Sequence, residues 1–220
     1  AARWVQQPEF NLPLDVKGTW LPFEKYLNGS VLLVWPDVIW APRLTIFIAS
    51  CLVLIALFLL IYLLFDNFAV AALSSLFIVF QPWYTWLSGT PMLEMYYLAF
   101  CFSGLVFLVA WLKNAYRLAW FWAGCCFMLA SGFHVQSWTY INLVYLITLG
   151  YFVRFFTHKQ FGNLFRLTAI YLTGNSLILI FSVVEFLNSG RFFGFLANHT
   201  NYSKWYYGGY TVPLGEKALF

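Results

Sequence analysis

Leu44 to Phe65 reads LTIFIASCLVLIALFLLIYLLF, and this stretch contains no charged residue. As an α-helix of about 22 residues it is about 33 Å long, enough to cross a hydrocarbon core of about 30 Å. The whole chain has the same character, since 62% of its 220 residues are hydrophobic and 9% are charged, against about 25% charged residues in ordinary soluble domains. The sequence therefore predicts an integral membrane protein whose main partner is the lipid bilayer.

Further apolar runs follow this stretch. Predominantly apolar segments predict helices at 44–65, 68–84, 91–112, 118–133, 139–154 and 164–187. The expected fold class is all-α, a polytopic transmembrane helical bundle of about six spans over residues 44–187. An extracytoplasmic segment (1–43) precedes this bundle, and an extracytoplasmic, aromatic-rich tail (188–220) follows it.

One shorter apolar run lies before the first predicted span. Val31–Trp40 reads VLLVWPDVIW, and Pro36 and Asp37 interrupt it. Because about ten residues are too few to cross a bilayer, an interfacial or re-entrant piece is expected here.

Positive charge on the short connections indicates the orientation in the membrane. The loops at 81–91 and 134–138 contain no Lys or Arg, whereas the connections on the other side carry Lys113, Arg117, Arg154, Lys159 and Arg166. Cytoplasmic loops are enriched in Lys and Arg, so the positively charged side is expected to be cytoplasmic. The loops at 81–91 and 134–138 are then extracytoplasmic.

Two other classes of function are disfavoured by the residue pattern. The formal net charge is +4, but the basic residues are scattered and form no stripe, so no nucleic-acid partner is expected. The four cysteines fall inside predicted helices without CxxC spacing or histidine partners, which argues against zinc and iron–sulfur sites.

Residues 81–97, QPWYTWLSGTPMLEMYY, place polar groups between two apolar runs on the predicted outer side. Glu94 follows Thr90-Pro91, a pair typical of a helix start. Its carboxylate is either stabilised by the positive end of the helix dipole or faces a cavity, as ionisable groups at membrane depth usually do. Such a cavity would suit a sugar or a lipid phosphate, and its lining would include Gln81, Tyr84, Thr85, Ser88 and Thr90.

A second polar cluster on the same side contains His134, Gln136, Ser137 and Asn142, in HVQSWTYIN. A single histidine in such a place is more often a hydrogen-bonded structural residue than a base or a metal ligand. The tail at 198–214 adds Lys204 among many tyrosines. These groups are the polar candidates for a site at the outer rim.

Many tryptophans also map to the predicted outer side, among them Trp83 and Trp86. One interpretation is an interfacial aromatic belt. The other is a shared roof over a cavity.

Three of these stretches carry a resemblance to a known family: QPWYTWLSGTPMLEMYYLAF (81–100), FHVQSWTYINLVYLITLGYFVR (133–154) and TNYSKWYYGGYTVPLGE (200–216). From about residue 30 onward the chain resembles large bacterial polytopic proteins that look like GT-C-type glycosyltransferases. The resemblance implies an enzyme that transfers a sugar from a lipid-phosphate donor, such as a polyprenyl-phosphate sugar, at the outer face of the membrane. It also implies a bacterial inner membrane as the location.

The resemblance further implies roles for particular residues. An acidic residue of the first outer loop would act as the base or position a metal, which points to Asp37 or Asp15 as catalytic and to a divalent cation as the candidate cofactor. The lipid-linked sugar would be bound by Glu94, Gln81, Trp83, Trp86, His134, Gln136 and Lys204. In this assignment Glu94 holds the sugar, His134 and Lys204 face the phosphate, and the two tryptophans stack on sugar or isoprenoid.

The chain departs from the family pattern in one respect. The acidic residues of 1–43 are scattered, at Glu9, Asp15, Glu24 and Asp37, and no adjacent acidic pair exists. Either the catalytic portion precedes Ala1, or the chain is not an active transferase. The alternative hypothesis is a non-catalytic transmembrane subunit of a larger complex, with partner membrane subunits.

Overall fold

The computed structural model of this protein describes residues 21, 23–90, 92–154, 161–190 and 192, and these residues form helices and turns without a strand. The helices, in chain order, are α1 (Phe23–Val34), α2 (Trp40–Phe65), α3 (Phe68–Val79), α4 (Pro82–Gly89), α5 (Leu93–Leu112), α6 (Ala119–Phe133), α7 (Gln136–Arg154), α8 (Phe161–Gly174) and α9 (Ser176–Ser189). The predicted all-α fold class is confirmed.

Helix α2 contains the uncharged apolar stretch Leu44 to Phe65. It has 26 residues, which gives a length of about 39 Å. It ends at Asp66, whose left-handed backbone (φ 51°) lets its N–H donate to the Tyr62 carbonyl. Asn67 then begins α3, because its side chain accepts a hydrogen bond from the Val70 N–H. Two residues therefore turn the chain back along α2.

The predicted helix over 68–84 is two helices in the structure. α3 and α4 are bent by 69° relative to each other. Pro82 is the first residue of α4, and Gln81 before it has an extended backbone (ψ 124°). Proline has no N–H and disfavours a helical residue before it, so the sequence itself contains the cause of this break.

Two helices, α2 and α5, are long and apolar enough by themselves to cross a membrane. The bent pair α3 with α4, and the pair α8 with α9, which is bent by 40°, raise this number to four if each pair counts as one span. α6 is also apolar but has only 15 residues. The protein is thus an integral membrane protein. Helices α2 to α9 overlap the six predicted segments, but 68–84 and 164–187 were each predicted as one helix and are two.

Helix α6 lies at the centre of the bundle and packs against α5 and α8. Glycines permit this close approach. The Phe127 ring of α6 lies against Gly104 of α5, and Gly174 of α8 lies against the Phe127 Cβ. At the other end of α6, the Phe23 ring of α1 lies over Gly132.

The apolar run Val31–Trp40 is divided between two helices. Val31–Val34 is the last turn of α1, and α2 already begins at Trp40. Between them Asp37 accepts hydrogen bonds from the main-chain N–H groups of Ile39 and Trp40, both at 2.9 Å. The polar residue that interrupts the run is therefore the one that starts the first span.

Candidate functional site

The hydroxyl groups of residues 84–90 are hydrogen-bonded to main-chain carbonyls. Thr85 Oγ1 donates to the Val79 carbonyl at 3.1 Å, across the break between α3 and α4. Ser88 and Thr90 donate to carbonyls within α4, at 2.8 and 2.6 Å. The Val79 carbonyl ends α3 and the Trp86 carbonyl lies in the last turn of α4, where main-chain carbonyls lack helical partners. The hydroxyls expected to line a cavity thus donate to the backbone of α3 and α4.

Tyr84 anchors α4 to the first span. Its hydroxyl donates to the Ser50 carbonyl of α2 at 2.7 Å. At the start of α4 the Gln81 carbonyl accepts from the Thr85 N–H at 3.1 Å, which is a main-chain helical hydrogen bond. Helix α4 is therefore fixed to α2 by a side chain and to the preceding turn by its backbone.

The two indoles of α4 point outward. Trp83 is 74% exposed and Trp86 is 48% exposed. Their rings form a T-shaped pair with centroids 5.9 Å apart. An exposed pair of this kind offers ring faces to an interface, a sugar or an apolar chain, so it fits both interpretations of the outer tryptophans.

His134 lies at the end of α6 and is 6% exposed. Its Nδ1 accepts a hydrogen bond from the Gln136 N–H at 3.1 Å, and its carbonyl accepts one from Ser137 Oγ at 2.6 Å. With Nδ1 as the acceptor, this geometry assigns the proton of the neutral imidazole to Nε2. His134 thus joins α6 to the first turn of α7.

Tyr97 of α5 completes this junction. Its ring centroid lies 5.1 Å from that of His134, with the planes at 37°, and its hydroxyl donates to Gln136 Oε1 at 3.2 Å. Glu94 lies one turn earlier, in the first turn of α5, where the helix dipole favours a carboxylate. We call Glu94, Tyr97, His134 and Gln136 the rim cluster. Three of these residues, Glu94, His134 and Gln136, were predicted to bind the substrate. Tyr97 was not predicted.

Asp37, one of the two predicted catalytic residues, lies just before the start of α2. The hydrogen bonds from the N–H groups of Trp40 and Ile39 lower the pKa of its carboxyl below the ordinary value of 3.8. A carboxylate with a lowered pKa is a weaker proton acceptor. The other predicted catalytic residue, Asp15, and the predicted phosphate ligand Lys204 lie outside the described residues.

A buried polar network that was not predicted from the sequence joins α1, α2 and α5. Tyr96 and Thr45 share a hydrogen bond of 2.7 Å between their hydroxyls. Thr45 Oγ1 donates to Asn28 Oδ1 at 2.8 Å, and Asn28 Nδ2 donates to Glu24 Oε1 at 2.7 Å. Asn28 is only 2% exposed. The one sequence signal was the spacing of Glu24 and Asn28, which puts both on one helix face.

No three His, Cys, Asp or Glu side chains of the described residues come together in a way that could hold a metal ion. The described residues alone do not fit the divalent cation that the family resemblance implies.

Comparisons with known proteins give no match for this chain: no family model matches it, and neither a curated protein nor a solved structure is significantly similar to it.

Proposed function

We propose that this protein binds the sugar–phosphate head group of a lipid-linked sugar at the rim cluster, as part of a GT-C-type glycosyltransferase in a bacterial inner membrane. The observation that carries the proposal is the junction of Tyr97, His134 and Gln136 beside Glu94 at the start of a membrane span. A carboxylate, an amide and a phenol close to one another suit the hydroxyl groups of a sugar.

Sidedness supports this proposal. The rim cluster lies at the N-terminal end of α5, whereas Lys113 lies at the C-terminal end of the same helix. By the distribution of Lys and Arg, the end with the rim cluster is the extracytoplasmic one. That is the face on which a polyprenyl-phosphate sugar is used by enzymes of the type that the sequence resembles.

The role proposed for the described residues is binding of the donor. The Asp37 carboxylate accepts hydrogen bonds from the N–H groups at the start of α2, and these bonds lower its pKa. We therefore propose that the described residues hold the donor, and that the proton acceptor is a carboxylate other than Asp37.

The test is a binding measurement on the purified protein in mild detergent, with a polyprenyl-phosphate sugar as the probe. Tyr97→Phe removes one hydrogen-bonding hydroxyl, and Glu94→Gln removes the charge while keeping the shape. Each is expected to weaken binding about fivefold or more, because one lost hydrogen bond is worth about 1 kcal/mol. Tyr116→Phe, an exposed tyrosine on the opposite side, is the matched control and should bind like the wild type. Equal binding by all four proteins would refute the proposal.

A second candidate function, a non-catalytic subunit of a membrane complex, is favoured by α4. Its hydroxyls are used internally, and its two indoles are exposed. A helix face of this kind also suits a partner subunit, since aromatic residues are enriched in interface cores. Purification as a stable multi-subunit particle that does not bind the lipid-linked sugar would favour this function over the first.

A further inference from the structure

An apolar groove runs between α2 and α3. It has a volume of about 390 Å³ and is lined by Leu57, Ile61, Leu73, Ser74, Phe77 and Ile78. Helix α3 buries only Ala71 among its twelve residues, so the groove is open along its side. In a membrane protein, an open apolar groove of this kind faces the hydrocarbon chains of the bilayer.

The groove extends from the α2–α3 turn over about the depth of one leaflet, about 15 Å. Leu57 and Ile61 precede the end of α2 by about 12 and 6 Å at 1.5 Å per residue. Phe77, on α3, follows the start of that helix at Phe68 by about 14 Å. One leaflet contributes about 15 Å to the hydrocarbon core, so a chain from the leaflet at the α2–α3 turn reaches the whole groove, whereas a chain from the other leaflet does not.

The same end of the bundle carries both signs of charge. Asp66 is exposed in the turn between α2 and α3. One helical turn earlier, the Leu63 carbonyl accepts a hydrogen bond from the Nζ of Lys113, the residue that follows α5. An ammonium group has three N–H donors, and this contact uses one of them. A carboxylate and an ammonium group at the end of an apolar groove complement a zwitterionic head group.

We propose that this groove holds one acyl chain of a zwitterionic phospholipid that carries a primary ammonium, with the ammonium against Asp66 and the phosphate against Lys113. This lipid site is separate from the rim cluster, because Lys113 and Glu94 lie at opposite ends of α5. Lipid binding at the groove can therefore be tested independently of the proposed sugar binding.

The head group is tested first. The protein is reconstituted in bilayers of equal parts phosphatidylethanolamine and phosphatidylcholine, extracted gently, and its retained lipid is identified by native mass spectrometry. The quaternary ammonium of phosphatidylcholine has no N–H to donate to Asp66. The wild type should retain phosphatidylethanolamine with an enrichment of about two- to fivefold, the range that a partly exposed ion pair gives. Asp66→Asn should remove the enrichment and keep the turn, because Asn tolerates the left-handed conformation.

The groove is tested with bulky substitutions. Leu73→Trp fills the groove and should abolish lipid retention. Leu146→Trp places the same side chain at an exposed position of α7, away from the groove, and should retain lipid like the wild type. The proposal is overturned if the wild type shows no enrichment, if Asp66→Asn keeps it, or if Leu73→Trp retains as much lipid as Leu146→Trp. Retention of a polyprenyl lipid in place of a phospholipid would also overturn it.

Discussion

The ring of Phe127 occupies the space that a side chain at Gly104 would need. A Cβ atom built on Gly104 would lie 2.5 Å from Phe127 Cε1 and 2.7 Å from its Cδ1. Phe127 is 1% exposed, and it lies against Gly104 of α5 and Gly174 of α8 within a buried core cluster. The contact thus sets how closely α5 and α6 approach each other.

Gly104→Ala should therefore destabilise the bundle by about 1–3 kcal/mol, the usual cost of forcing extra atoms into a packed core. The measurement is the unfolding transition of the purified protein in detergent. Gly150→Ala is the control, because a Cβ there meets nothing within 4 Å. It should be neutral or stabilising by up to about 1 kcal/mol, since Ala is the better helix former. Equal stability of the two variants would contradict this packing argument.

The hydrogen bond between Thr45 and Tyr96 predicts non-additive mutations. Thr45→Val and Tyr96→Phe should each destabilise the protein by about 0.5–2 kcal/mol, as interhelical hydrogen bonds in membranes do. The double variant should lose less than the sum, because both single changes break the same bond. The check is a double-mutant cycle on the unfolding free energy. Strict additivity would mean that the two hydroxyls do not interact.

The carboxyl of Asp37 predicts a pH dependence at low pH. Its pKa is lowered by the N–H groups of Trp40 and Ile39, so its contribution to stability is fully present above the ordinary value of 3.8. This contribution is lost as the pH falls through the lower, folded-state pKa. The difference in unfolding midpoint between the wild type and Asp37→Asn should thus be constant near neutral pH and shrink below pH 3.8. If the difference in unfolding midpoint between the two proteins stays unchanged below pH 3.8, the Asp37 carboxylate does not stabilise the start of α2.

The bond from Tyr84 to the Ser50 carbonyl predicts local mobility after its removal. Tyr84→Phe should increase hydrogen exchange of residues 82–90 about fivefold, because one hydrogen bond is worth about 1 kcal/mol. Exchange in α5 should stay the same. Tyr116→Phe serves as the control for loss of a tyrosine hydroxyl. Unchanged exchange in 82–90 would mean that other contacts hold α4 in place.

The sequence predicted the helices better than the site. Uncharged apolar runs mark where α2 and α5 lie, because their side chains favour lipid and core over water regardless of their partners. The break at Pro82 was also encoded locally, although the segment was interpreted as one helix. For the candidate site, the sequence predicted Glu94, His134 and Gln136 but not their link to Tyr97.

What the sequence by itself determined is the membrane environment and the helical class, since both follow from local composition and from the bonding of each helix to itself. Only the tertiary structure decided where the polar side chains go. Thr45 and Tyr96 are 51 positions apart, and no local pattern joins them. The hydroxyls of Thr85, Ser88 and Thr90 donate to main-chain carbonyls, because a bent helix in a membrane must satisfy its backbone within the protein.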